Sequence, residues 1–367
     1  VNKNTNTPSS SKGKKSPLKL PCKILAIILV LVFVFLLVYT LAEYRPKDFE
    51  ELEISGSAAP YPADKNTLSV LSWNIGYGGL SANEDFFLDG GKNTGPESKE
   101  EVENNLEKIG AFIKESAADV CYLQETDKNS SRSFHIDETQ KISAVVDGAE
   151  SVYSPNYKCF YVPVPLPPIG KVDAGLFTLS SYHIDNAERI ALPCPFSWPL
   201  RTVNLKRCIE VNRVPIEDSD KEWVLVNIHL EAYDSGEGKI AQTKVLSDFL
   251  KAEYKKGNYI VAAGDFNQSF SNIDTSAYPL TDESLWLCGQ LDAESFGEHF
   301  NLVMDNSTPT CRSLDKPYPG GSPSDFQYYM LDGFIVSDNL QIDKYETIDL
   351  DFENSDHNPV YIEVTIK

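Results

Sequence analysis

The sequence predicts an α/β body behind one apolar N-terminal span. Three observations carry this. From Leu68 to the end, segments rich in branched residues alternate with segments of helical periodicity. Strand-like segments outnumber helical ones, and several are apolar throughout, which suits packed sheets covered by helices. Ahead of them stands ILAIILVLVFVFLLVYTLA, residues 24–42, nineteen residues without a charge.

Composition narrows the class. At 367 residues the chain holds two ordinary domains or one large one. With 41% apolar and 24% charged residues it can build a core, and whole-chain disorder is excluded. Seven Cys are too few for a disulfide scaffold. Residues 1–50 carry eight of the 33 basic and three of the 54 acidic residues. Residues 51–367 therefore hold 25 against 51, a net charge of −26. Such a body repels polyanions unless cations intervene, so the substrate is compact or a divalent metal supplies positive charge.

Residues 1–23 contain Lys3, Lys12, Lys14, Lys15, Lys19 and Lys23 and no acid, the composition of a basic, disordered tail. At about 1.5 Å per residue the 24–42 span reaches roughly 28 Å, close to the apolar thickness of a bilayer. It reads as a signal anchor with a cytoplasmic N-terminus, since Lys precedes it and Glu43 follows. Cleavage after Thr40-Leu41-Ala42 is the competing reading and makes the body a secreted one. Cys22 has no small residue before it and does not look like a lipid-attachment site. Residues 43–66, aperiodic and containing Pro, Ala and Ser, read as a linker, and 67–367 as one domain. The six body cysteines would sit in an oxidising space; Cys121 reads as a buried thiol, and pairing among the others stays open.

Within the body, 67–75 reads as a strand and 76–95 as a Gly-rich loop. Ser98 and Glu101 form a capping-box pattern, and Val102, Leu106, Ile109 and Ile113 recur at helical spacing, which predicts a helix over 98–116. Strands follow over 119–126, 158–164, 175–181, 208–215 and 223–229. A helix is expected over 239–255, with Ile240, Val245, Leu246 and Phe249 on its apolar side. Strands over 259–264, 332–336 and 360–366 complete the body.

Polar residues collect at the ends of these apolar strands. Asn74 ends LSVLSWN, Glu125 ends VCYLQE, and Asn227 and His229 end VLVNIH. Asp265 and Asn267 stand in GDFN, Asp332 opens LDGFIVS, and Asp356 and His357 stand in NSDHNPV. Each alone is an ordinary turn or solvated residue; six strand ends of this kind together build a site. HExxH, GxSxG, the phosphate-binding GxxxxGK[ST] and zinc-spaced Cys/His are all missing. Carboxylates and Asn amides are hard oxygen ligands that suit Mg²⁺, with Mn²⁺ or Ca²⁺ as alternatives. Two His and a further Asp can handle protons or grip a phosphoryl oxygen. The combination points to metal-assisted phosphoester hydrolysis.

WN at 73–74, LQE at 123–125, NIHL at 227–230, GDFN at 264–267, LDGFIVS at 331–337 and SDHNPV at 355–360, in this order, resemble the endonuclease/exonuclease/phosphatase superfamily. The resemblance implies the deoxyribonuclease I-like fold, a four-layer α/β sandwich with two central mixed β-sheets, the site at one edge. It implies Glu125 as main metal ligand with Asn74 beside it and Asp356 supporting the metal region. It implies that Asp265 orients or deprotonates the attacking water, and that Asn267 holds that water or a phosphate oxygen. It implies that His357, oriented by Asp332, hydrogen-bonds the scissile phosphate, and that His229 contacts phosphate or assists the leaving group. Gly333 departs from the pattern, which commonly has an aromatic residue there. Arg132, seven residues after Glu125, is a candidate phosphate contact, and Tyr233 and Asp234 are candidate lining residues.

The expected partners are a phosphoester substrate, either nucleic acid or a lipid headgroup or small phosphoester as in a sphingomyelinase, and the membrane through the N-terminal helix. No protein partner is inferred. A non-catalytic binding module of the same fold is the third reading; it would be free to lose constellation residues, and every principal one is present.

Overall fold

The computed structural model describes residues 19–234 and 236–367, so most of the expected basic tail lies outside the described residues. The chain divides after Glu43 into an N-terminal unit and a body. In the first unit Lys19–Ala42 forms one helix, α1. Its stretch Leu20–Ala42 is long and apolar enough to cross a membrane.

The body, Tyr44–Lys367, carries the remaining elements. In chain order its strands begin with Phe49–Glu51 (β1), Ile54–Gly56 (β2), Thr67–Asn74 (β3), Val120–Asp127 (β4), Glu150–Val162 (β5) and Gly170–Ser180 (β6). Asn186–Ala191 (β7), Cys208–Pro215 (β8), Glu222–His229 (β9), Tyr259–Asp265 (β10), Gln268–Phe270 (β11) and Gly289–Leu291 (β12) follow. The last six are Phe300–Val303 (β13), Cys311–Arg312 (β14), Tyr328–Tyr329 (β15), Asp332–Ser337 (β16), Leu340–Thr347 (β17) and Val360–Ile366 (β18). Its α-helices are Lys99–Ser116 (α2), Glu138–Ser143 (α3) and Glu237–Lys255 (α4).

Two seven-stranded mixed sheets form the centre, one ordered β1-β7-β8-β9-β10-β16-β13 and the other β17-β18-β3-β4-β6-β5-β2. The central strands β3, β4, β9, β10 and β16 read as nearly continuous apolar runs because they bury both faces. In β9, Trp223 and Leu225 enter the core between the sheets, whereas Val224, Val226 and Ile228 pack outward with Leu246 and Leu250 of α4. In β3, Leu68 and Val70 face the shared core, and Leu71 and Trp73 pack outward with Val102, Leu106, Ile109 and Ile113 of α2. The layers are thus helix, sheet, sheet, helix, as the resemblance implied.

Helix α2 starts where its cap predicts, with the Glu101 N–H donating to Ser98 Oγ at 3.2 Å. The Glu101 carboxylate instead accepts from Ser81 Oγ at 2.7 Å, so the capping box is half built and the other half ties down the preceding loop. Three expectations need correction. Residues 43–66 are not an unstructured linker: β1 pairs with β7 and β2 with β5, and Tyr61 is fully buried between the sheets. Edge pairing uses backbone groups that need no side-chain periodicity, so the pattern could not show it. Ile240 is 73% exposed, because the apolar face of α4 is set by Leu246 and Leu250. The strand placed at 158–164 is the end of a longer one, β5. All seven cysteines are free thiols, Cys121 buried among them.

Between the sheets, Gln124 donates to Asn227 Oδ1 at 2.8 Å, and Asn227 Nδ2 faces Leu123 O, Phe177 O and Thr178 Oγ1 at 3.2–3.3 Å. Asn227 is therefore a bolt between the sheets and not a site residue. Replacing it with Leu removes the Oδ1 acceptor of Gln124, which keeps only the Ser72 Oγ contact at 3.2 Å, and removes the donor that these oxygens share. Asn227→Leu is expected to destabilise the protein by about 1–3 kcal/mol, read as a lower urea midpoint at unchanged slope.

Candidate active site

Topology gathers the expected residues at one edge. Strands β3 and β4 run parallel, as do β9 and β10, so Asn74, Glu125, His229 and Asp265 stand at the same end of neighbouring strands. Strand β16 runs antiparallel to β10, which sets the first residue of one, Asp332, opposite the last of the other, Asp265. Strand β18 is antiparallel to β3, and His357 lies just before it, bridged to Cys311.

Two backbone features aim the groups. Glu125 adopts φ +52° at an irregularity in the β4–β6 pairing, and a bulge of this kind redirects a side chain. Gly264 lets β10 lie against β9; a Cβ there would stand 1.9 Å from Ile228 O.

Asn74 is the hub. Its amide nitrogen lies 3.1 Å from Asp265 Oδ2, 3.4 Å from Glu125 Oε1 and 3.5 Å from His357 Nε2, while its Oδ1 accepts the Gly76 N–H. Asn74 thus meets the acids as a donor; to serve as a metal ligand its amide must turn away from Gly76. Asp265 Oδ1 accepts the Asn267 N–H at 2.8 Å, and Oδ2 lies 3.5 Å from His229 Nε2 and 3.8 Å from His357 Nε2. Asp332 Oδ2 sits 2.8 Å from His357 Nδ1 and orients the ring. Gly333 does not loosen this pair: Met304 and Phe270 fill the space its side chain would need. Asn267 lines the same cavity, but its amide donates to Leu230 O.

Arg132 is not a solvated surface residue. It is bidentate to Asp127 at 3.0 and 3.1 Å, stacks 3.8 Å from the Tyr77 ring, and holds Nη1 3.7 Å from Glu125 Oε2. Asp234 stays out of the site; it accepts the Gly236, Gly238 and Lys239 N–H groups at the start of α4. Tyr233 does line the cavity, its hydroxyl donating to Asp89 at 3.1 Å. The cavity, about 110 Å³, also takes in Arg207, Arg312, Asp89 and Cys311, which sequence reasoning did not single out. Arg207 is buried, with Nη1 donating to His229 O and Nε lying 3.4 Å from Glu231. The antiparallel pairing of β8 with β9 brings it there, a signal present in the expected strand pair.

Burial dominates the proton affinities. It pushes Asp265 up to about 6, with Asp332 adding and His357 opposing. It pushes Asp356 up to about 6 as well, helped by Glu125 and opposed by His357 and Arg312. His229 is held well below its usual value by burial, then by the charges of Arg207, His357 and Arg132. Burial alone would lower His357 too, but the carboxylates of Asp332, Asp356 and Asp265 carry it well above the usual range.

The donor set fits a hard divalent cation. Glu125 keeps 26% of its side chain open, and two buried acids nearby retain protons up to about pH 6 because uncompensated charge is costly there. Cys311, Asp356 and His357 can each bring a ligand atom within 4.8 Å of one another. The Cys311 thiol, pushed up to about 12 by burial, keeps its proton, and His357 Nδ1 is committed to Asp332. That trio offers a hard cation chiefly the Asp356 oxygen.

In the metal-free protein a raised affinity means that His357 keeps its proton as pH rises through neutrality, whereas His229 stays neutral as pH falls. Imidazole NMR between about pH 5 and 8 should show both behaviours. Asp332→Asn should bring the His357 midpoint down into that window.

The family model for the endonuclease/exonuclease/phosphatase family matches residues 71–357. No curated protein sequence matches the chain. Among solved structures, the endonuclease/exonuclease/phosphatase from Beutenbergia cavernae DSM 12333 is 17% identical at TM-score 0.55, with 82% of this chain and 72% of that one covered. The Bacteroides vulgatus endonuclease/exonuclease/phosphatase is 15% identical at TM-score 0.52, covering 83% and 100%. A family protein from Leptotrichia buccalis C-1013-b is 14% identical at TM-score 0.50, covering 82% and 100%. At these identities the likeness is one of fold. The family match spans most of the chain and both ends of the site, and the chain belongs to the endonuclease/exonuclease/phosphatase family, whose members are phosphoester hydrolases.

Proposed function

We propose that the protein is a divalent-metal-dependent phosphodiesterase, nuclease-like in chemistry, that cleaves its substrate by in-line attack of water on phosphorus. The observation that carries this is the convergence of Asp265, His357 and Glu125 on the Asn74 amide, with His229 3.5 Å from Asp265, at one cavity. Asp265 is the base: its affinity near 6 lets it take the water proton at neutral pH. His357, charged and held by Asp332, donates to a phosphoryl oxygen as negative charge builds there. His229, neutral and backed by Arg207, stands by the phosphate or departing oxygen. Asn267 keeps the Asp265 carboxylate oriented through its N–H. Arg132, stacked on Tyr77 beside Glu125, contributes positive charge at the cleft wall. A cation, Mg²⁺ by preference with Mn²⁺ or Ca²⁺ as substitutes, would be held by Glu125 with Asp356 and Asn74. It supplies neutralisation of phosphate and leaving-group charge.

We also propose that residues 24–42 anchor the protein, with the N-terminus cytoplasmic and the 67–367 domain outside. Lys23 before the span and Glu43 after it support this. A lipid headgroup or other small phosphoester is the second reading of the substrate. It is favoured by an adjoining cavity whose lining includes Phe86, Leu88, Tyr157, Ile169 and Leu205.

Glu125→Ala, Asp265→Ala and His357→Ala should each lower turnover by about 10²–10⁴ with unfolding curves unchanged. Full-rate hydrolysis by all three with added Mg²⁺ would remove the assignment. EDTA should abolish activity, and Mg²⁺ or Mn²⁺ should restore it. Plasmid DNA, RNA, sphingomyelin and a bis-aryl phosphate offered in parallel will separate the substrate readings.

A further inference from the structure

Two segments of the body break its charge pattern. Residues 151–172 and 191–209 contain no acid in 41 positions, yet carry Lys158, Lys171, Arg201, Lys206 and Arg207; of these Arg207 is buried beside Glu231, and Lys158 faces Asp173 at 3.4 Å. Residues 51–367 hold 51 acids in 317 positions, about one in six, so about seven would be expected here. The two segments are neighbours in space. The Lys206 N–H donates to Asn156 O at 2.7 Å, and Tyr157 Oη donates to Val203 O at 3.0 Å. Val203 and Ile169 pack on Cys159, Val162, Val172 and Ala174.

The roots of these loops are packed, and large apolar side chains are exposed toward their tips. Between β5 and β6, Val164 is 60% and Leu166 90% exposed; between β7 and β8, Leu200 is 61% exposed, and Trp198 keeps about half its surface open. Monomeric soluble proteins rarely present large side chains of this kind together. Apolar tips with a Trp, on segments that carry Lys171, Arg201 and Lys206 and no acid, match the two terms of interfacial binding: insertion of apolar groups and attraction to anionic headgroups. The loop roots also wall the cleft. Tyr157, Ile169, Asn204 and Leu205 line one cavity of about 150 Å³ with Glu125, Arg132 and His229.

We propose that the 160–169 and 194–206 loops form a docking surface for an anionic lipid bilayer, which turns the mouth of the cleft toward the headgroups. The apolar span in the same chain keeps a bilayer within reach, but these loops make a second contact. The proposal concerns binding and does not depend on the chemistry assigned to the cleft.

The full chain, placed in nanodiscs whose lipids are brominated on the acyl chains, tests it. The 19–42 helix contains no Trp, so acyl-chain quenching of Trp emission reports on the body alone. In discs with about a third phosphatidylglycerol, emission should be quenched relative to unbrominated discs, and Trp198→Phe should remove that quenching. A pure phosphatidylcholine disc, and the Leu166→Ser/Leu200→Ser double variant, should each reduce it at least threefold. The lipid arm needs no mutation, and the replaced residues are exposed loop tips outside the catalytic machinery. Absence of Trp198-dependent quenching, or a smaller reduction in either arm, overturns the proposal. Cross-links between two chains that vanish in the double variant, without quenching, would assign the surface to a second copy instead.

Discussion

Carboxylates packed together out of water repel one another, and each must find a compensating charge, a donor or a proton. Asp265, Asp332 and Asp356 are buried at one end of this molecule, with Glu125 partly open beside them. Much of the surrounding structure answers that demand. The Asn74 amide stands between Glu125 and Asp265, and His357 lies within 4.0 Å of three Asp carboxylates. Arg132 lies against Asp127 and Glu125. The compensation is incomplete, which is why Asp265 and Asp356 retain protons up to about pH 6. A site in that condition is prepared for a divalent cation and a phosphoryl group.

The topology makes such crowding possible. Parallel pairs β3–β4 and β9–β10 end at the same edge, and the antiparallel strands β16 and β18 begin there. The apolar strands supply the rigidity: α2 and α4 cover the outer faces, and the inner faces share one core. Asn227 and Gln124 lock the two sheets together next to the site, so the ends of one sheet stay in register with those of the other.

Much of this was legible in the sequence. The strand-end residues Asn74, Glu125, His229, Asp265, Asp332 and His357 converge because apolar runs mark the strands and the polar residue marks the end. The half-built cap of α2 was readable at Ser98 and Glu101. Other features were not readable. Edge strands such as β1 and β2 rest on backbone pairing and carry no alternation. Asn227 shares a motif with His229, but strand alternation turns it between the sheets. Arg207 and Arg312 act through carbonyls remote in sequence: Arg207 donates to His229 O, and Arg312 to Ser81 O, 231 positions away. Asp89 reaches the cleft only through loop packing against Tyr233.

The role of Glu125 and Asp356 turns on where a cation settles. Crystals soaked in Mn²⁺ and measured for anomalous scattering would locate it. A peak is expected within bonding distance of a Glu125 carboxylate oxygen, with Asp356 alongside. A peak held by Cys311 and His357 with Glu125 uninvolved, or no peak in the cleft at saturating Mn²⁺, would contradict it.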